Sequence, residues 1–142
     1  MLLSGPSRGF VKNGLDKIGV PYKHFGQKDY KDVAKLYDAL DLYIVASREE
    51  GGPKAILESM AKGVPLVTTA VGQAKDLVKH RENAMMTPID NVEALYKSAT
   101  EVLTDKNLRE ALINKGLFTA AENSFEAQLP LWKDYLKKLI NF

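Results

Sequence analysis

Glu50 and Glu58 stand eight positions apart in "SREEGGPKAILESM", and Gly51, Gly52 and Pro53 follow directly on the first of them. A carboxylate can accept two hydrogen bonds from neighbouring hydroxyls, and glycine lets an anion come close to the backbone. Pro53 reads as the first position of a helix, where its missing amide would have had no helical partner. Gly52, just before it, has no side chain with which to cap the free amides. A helix mouth left uncapped, with the positive end of the dipole behind it, suits a phosphate. Glu58 lies roughly 7.5 Å further along the axis, at about 1.5 Å per residue. That spacing suits a ligand with phosphates at the mouth, held by the amides of Gly51 to Ala55, and a ribose diol beside Glu58. Glu50 would then face the group carried beyond the phosphates.

The same residues also have a reading without a ligand. Lys54 and Lys62 flank Glu58 one turn away on either side, a spacing that makes a helical ion pair. Glu50 precedes a helix start, where any acid is favoured by the dipole. Lys54 is the one side chain near the phosphate site and is equally a partner for Glu58. On residue types alone both readings stand.

The elements that would position these residues alternate along the chain. "MLLSG", "VPYKHFG", "DLYIVAS", "VPLVTTAV" and "NAMMTP" read as strands, and "FVKNGLDKIG", "DYKDVAKLYDAL", "PKAILESMAKG" and "AKDLVKH" as helices between them. Such alternation indicates β-α-β units around a parallel sheet, and ligands of such sheets bind beyond the carboxyl ends of the strands. "DLYIVAS" is an unbroken apolar run, as expected of a central strand covered on both faces. Gly63 and Pro65 stop the third helix in the order helices prefer. From Asp90 onward the chain reads as helical, with breaks near Thr104 and Asn123. Because the chain opens inside a strand, Met1 is expected to be an internal boundary of a longer protein.

With 142 residues, 45% of them hydrophobic, the chain suits one domain with one core. Its 20 basic and 18 acidic residues are scattered, giving +2 and no basic stripe for nucleic acid. The absence of cysteine excludes disulfides and thiolate chemistry and favours a cytoplasmic setting. His24 and His80 are too few for a histidine-rich metal site, and no apolar run approaches a bilayer span. "GPSRG" has neither phosphate-loop nor dinucleotide-loop spacing and reads as a turn.

The block "SREEGGPKAILESMAKGVPLVTTAVGQAKDLV" closely resembles the donor-binding segment of the family 4 glycosyltransferases. That retaining family carries two glutamates separated by seven residues, in a pattern like E-G-F-G-x-x-x-L-E-A-M-A-x-G-x-P-V-V, and then a G-G-x-x-E segment. Glu50 and Glu58 match the pair; Glu49 does not, since Leu57 stands eight residues after it. Upstream, "LLSGPSRGF" and "HFGQKDYKDVAKLYDALDLYIVAS" are similar to the family's glycine-containing strand end and F-x-G turn, and the tail is similar through "RENAMM", "LREAL" and "NSF".

The resemblance implies an α/β, Rossmann-like doubly wound parallel sheet, three-layered with a helical C-terminal tail. This would be the C-terminal half of a two-domain GT-B enzyme that transfers a sugar from a nucleoside-diphosphate sugar. It gives Glu58 the ribose hydroxyls and Glu50 the donor sugar, places Gly51, Gly52, Pro53, Lys54 and Ala55 along the diphosphate, Phe25, Gly26 and Gln27 at the base, and Gly72 and Gln73 at the sugar end. No metal or cofactor is implied. The domain's first strand and the loop carrying the family's phosphate-binding Arg and Lys are expected before residue 1, as is the whole acceptor domain, so the chain alone is expected to be inactive. Four positions depart from the pattern: Gly52 and Pro53 stand for Phe and Gly, removing one amide, while Gln73 and Asp76 stand for Gly and Glu.

Two other readings compete: an α/β module that binds a nucleotide or protein without catalysis, and a GT-B enzyme of another reaction, a phosphorylase or epimerase. A receiver-like module would carry acids at the early strand ends, and "LLSG" and "HFG" carry none. At the C-terminus Phe125, Leu129, Trp132, Leu136, Leu139 and Ile140 recur at helical spacing, with Lys133, Lys137 and Lys138 on the other side. The stripe is expected to pack on the domain core or on the absent domain, the alternative being peripheral contact with the inner face of a membrane. Pro130 is expected to kink or offset that helix.

Overall fold

The computed structural model describes residues 1–5, 8–26, 29–52 and 54–140, which form two compact units, Met1–Ala39 and Leu40–Phe142. In the first, β1 (Leu2–Ser4) and β2 (Lys23–Phe25) pair in parallel, Leu2 opposite Lys23 and Ser4 opposite Phe25. Two helices follow the strands, α1 (Gly9–Lys17) and α2 (Tyr30–Tyr37). Asp29 caps α2, its carboxylate accepting the Lys31 amide at 3.2 Å. After α1 the amide of Val20 reaches back to the Leu15 carbonyl and that of Gly19 to Asp16, with Gly19 left-handed at φ 67°. This closure satisfies carbonyls that the helix leaves open, and glycine adopts it without a Cβ penalty. His24 is half-buried on β2, a ring nitrogen 2.8 Å from the Gly5 carbonyl oxygen.

The second unit holds a three-stranded parallel sheet in the order β3 (Tyr43–Val45), β4 (Leu66–Thr69), β5 (Met85–Thr87). Val45 faces Thr68, and Thr69 faces Thr87. All four β4 residues are buried, because neighbouring side chains on a strand point to opposite faces and both faces are covered. Leu66 joins Ile56 and Met60 of α3 (Lys54–Ala61), together with Val45, Ala74 and Val78. Val67 turns the other way, onto Met85, Val102 of α5 (Val92–Thr104) and Leu112 of α6 (Lys106–Glu122). Side chains such as Ile56 and Leu66, fully buried here, each stabilise the fold by about 1.5–3 kcal/mol.

α3 ends as α1 does: Gly63 is left-handed at φ 66°, and the amides of Gly63 and Val64 return to Met60 and Ser59. Asp105 separates α5 from α6 and caps the latter, accepting the Leu108 amide at 3.0 Å. The break expected near Thr104 is this cap. Asn123 ends α6, its side chain donating to the Thr119 carbonyl at 2.8 Å.

Three expectations are corrected. Within its unit β3 is an edge strand with Ile44 40% exposed, and the fully covered centre is β4. An apolar run reports hydrophobicity, while the neighbours that cover it are set by strand order. The helix expected over 74–80 is one turn, α4 (Ala74–Leu77), since Val78 goes extended to reach the core. Thirdly, α7 (Phe125–Ile140) buries no residue of its apolar stripe, with Trp132 60% exposed, so of the two partners expected for that stripe this core is not one. No helix among the described residues is long and apolar enough to cross a membrane.

Candidate functional site

β3 ends at Val45, and the chain then loops across the carboxyl end of the sheet to α3. The loop is held from β4. The hydroxyl of Thr69, the last β4 residue, donates to the Ser47 carbonyl at 2.6 Å and lies 3.4 Å from that of Val45. Thr69 is only 5% exposed, so its geometry is set by the core around it. The Ser47 hydroxyl in turn donates to Glu50 Oε1 at 2.8 Å. One carboxylate oxygen is thereby fixed, and Oε2 keeps its capacity to accept from a ligand.

A second loop, between β4 and α4, lies backbone to backbone against the first. The Gln73 amide donates to the Gly51 carbonyl at 3.3 Å. Gly72 is left-handed at φ 43°, and a Cβ built on it would lie 2.6 Å from the Gly51 carbonyl oxygen and nearer still to that of Glu50. Only glycine fits. Gly51 is different: a Cβ there would meet no atom of the described residues within 4 Å, and its backbone is not left-handed. Neither packing nor conformation asks for glycine at 51, which leaves open space above the backbone as the physical consequence of that residue. A Cβ on Gly52 would lie 3.7 Å from the Gln73 side-chain oxygen, so the Gln73 carboxamide borders the same opening.

Of the residues singled out from sequence, Glu50, Gly51, Gly52, Gly72 and Gln73 are thus brought together by two loops. Lys54 opens α3 as an exposed residue, Ala55 is half-buried, and Glu58 is half-buried on the next turn. Phe25 ends β2 in the first unit, with Gly26 after it. Pro53 and Gln27 lie outside the described residues.

The sequence reading missed four residues here. Ser47 carries a signal, since serine near a strand end often bonds to the turn that follows it. Thr69 carries none, because its partner lies 22 residues away. Arg48 and Asp90 join at 2.6 Å, Nε to Oδ1, tying the first loop to the segment after β5. Both side chains are exposed, so that pair contributes little beyond loop direction. Among the described residues no group of three or more acidic or histidine side chains is placed to hold a metal ion.

The family model for glycosyl transferases group 1 matches residues 16–117. The chain is 29% identical, over 125 residues, to the lipopolysaccharide core biosynthesis mannosyltransferase LpsB of Rhizobium meliloti, covering 84% of this chain and 36% of LpsB. Among solved structures, sucrose-phosphate synthase from Thermosynechococcus elongatus superposes with a TM-score of 0.85 at 22% identity, over 99% of this chain and 38% of that one. Anabaena HepE, solved in complex with UDP-glucose, superposes with a TM-score of 0.80 at 21% identity, over 99% of this chain and 40% of that one. The fold is therefore the Rossmann-like α/β fold of the C-terminal half of a GT-B protein. The chain spans about a third of the length of the curated relatives it matches.

Proposed function

Because the chain belongs to the glycosyl transferases group 1 family, we propose that it forms the donor-binding part of a retaining glycosyltransferase. In this reading it holds a nucleoside-diphosphate sugar while a separate domain presents the acceptor. The observation that carries the reading is the paired loops: Glu50, Gly51 and Gly52 lie against Gly72 and Gln73 at the carboxyl ends of β3 and β4. That is the place where open parallel sheets bind ligands. The complex of the structurally similar HepE with UDP-glucose supports a nucleotide sugar as the ligand class.

The residues take distinct roles. The backbone from Gly51 to Ala55, at the start of α3, meets the diphosphate, and Gly51 leaves it room to approach. Glu58, one turn into α3, accepts the ribose hydroxyls. Oε2 of Glu50 faces the donor sugar, with Gly72 shaping the loop that carries Glu50 and Gln73 completing the sugar end. As the glycosidic bond breaks, negative charge grows on the leaving diphosphate. Amides and a helix dipole fixed in advance stabilise that charge without reorganising, and we assign the task to them and to no metal ion.

Calorimetric titration of UDP, GDP, ADP and their sugar conjugates against the chain tests this. One nucleotide is expected to bind, and Glu58→Ala to weaken it about tenfold or more, the scale of a lost hydrogen bond to a charged group. Absence of binding by all three, or a Glu58→Ala variant that binds as wild type does, would remove the reading.

A further inference from the structure

We propose that Ser47 and Thr69 are positioning residues for the donor sugar, acting through Glu50; the inference rests on the donor-site reading above. The Thr69 hydroxyl donates to the Ser47 carbonyl at 2.6 Å, and the Ser47 hydroxyl donates to Glu50 Oε1 at 2.8 Å. Two hydrogen bonds therefore connect the last residue of the buried central strand to a carboxylate in an exposed loop.

Each link has a job that its neighbours leave undone. Glu50 is exposed and its side chain has three rotatable bonds, so alone it would sample many rotamers. Bonding Oε1 to Ser47 selects among them and directs Oε2 to one place. Ser47 can do this only if its own backbone is held. The loop 46–52 has no regular ladder, and the Thr69 hydroxyl supplies the missing bond at its first turn. Thr69 itself cannot drift, being 5% exposed and paired with Thr87 across the sheet. The Gly51 carbonyl, by contrast, is held by the Gln73 amide, independently of Ser47. The part of the loop assigned to phosphate and the carboxylate assigned to sugar are thus anchored separately.

That separation gives the test its readout. Calorimetry compares UDP with UDP-glucose, GDP with GDP-mannose and ADP with ADP-glucose, using wild type, Ser47→Ala, Ser47→Thr, Thr69→Val and Thr69→Ser. In the pair that wild type binds, Ser47→Ala is expected to weaken the nucleotide sugar about three- to tenfold and to leave the free nucleotide unchanged. Ser47→Thr, which keeps the hydroxyl, restores the ratio. Thr69→Val behaves as Ser47→Ala does and Thr69→Ser as wild type. A melting curve accompanies each variant, and if Thr69→Val does not fold, Ser47→Ala and its threonine rescue decide. An unchanged ratio in Ser47→Ala overturns the relay and leaves the donor site standing. Equal weakening of both ligands also overturns it, since a merely loosened loop would do that. A wild type that binds no nucleotide removes the donor site and the relay together.

Discussion

A Cβ on Gly72 would lie 2.6 Å from the carbonyl oxygen of Gly51, so the two loops of the candidate site touch through bare backbone. Alanine at 72 must both leave the left-handed region and push the loops apart. Gly72→Ala is expected to destabilise the chain by about 2–4 kcal/mol, combining backbone strain with overpacking. Urea denaturation measures this, and a cost under about 0.5 kcal/mol, the range of neutral surface changes, would show that the contact yields easily.

The opposite is expected one loop away. A Cβ on Gly51 would have no atom of the described residues within 4 Å, and the backbone there is not left-handed. Gly51→Ala should leave the unfolding midpoint nearly unchanged, within about 0.5 kcal/mol, while lowering nucleotide affinity about tenfold through the added methyl at the diphosphate. Unchanged affinity in a normally stable variant would take Gly51 out of the phosphate site.

Asn83 is buried and fully engaged. Its side chain accepts the Lys79 amide at 2.8 Å and donates to the Leu77 carbonyl and the Thr119 hydroxyl, each at 2.9 Å. It joins the turn after α4 to α6. Asn83→Ala removes all three hydrogen bonds from a buried side chain and is expected to cost about 2–4 kcal/mol in chemical denaturation.

Arg81 and Glu101 form a two-pronged pair, with Nη1 to Oε2 at 2.9 Å and Nη2 to Oε1 at 2.6 Å. The hydrogen bonds from Arg81 hold the Glu101 carboxyl below its ordinary range; desolvation opposes them, and the Arg81 charge adds a lesser lowering. The folded chain therefore binds that proton less tightly than the unfolded one does. The contribution of the pair is present above the ordinary glutamate value of about 4.3 and is lost as pH falls through the lower folded value. Melting temperatures of wild type and Glu101→Gln are expected to differ slightly at pH 7 and to converge in acid. The pair is exposed, so the gap is small. A gap that widens on acidification would contradict this sign.

What the amino-acid order determined by itself is local. Helices stop at Gly19 and Gly63 because glycine adopts a left-handed turn without a Cβ penalty, and α6 starts after Asp105 because a short carboxylate reaches a free amide. Alternating strands and helices, with the block from Glu50 to Val78, were enough to expect the Rossmann-like fold and its family. These signals act over a few residues, which is why they can be read along the chain.

Tertiary structure decided whatever depends on distant neighbours. The apolar run of β3 did not reveal that β4 would be the covered centre of its sheet, because coverage is a property of strand order. The stripe on α7 looked like a buried face and is exposed, because periodicity shows that a face exists and says nothing of what meets it. Gly72 was singled out from the sequence, but its close approach to Gly51 was not legible there, since it arises where two loops meet. Thr69 was invisible for the same reason: a threonine in an apolar strand becomes the anchor of Ser47, and through it of Glu50, only when parallel pairing brings the ends of β3 and β4 side by side.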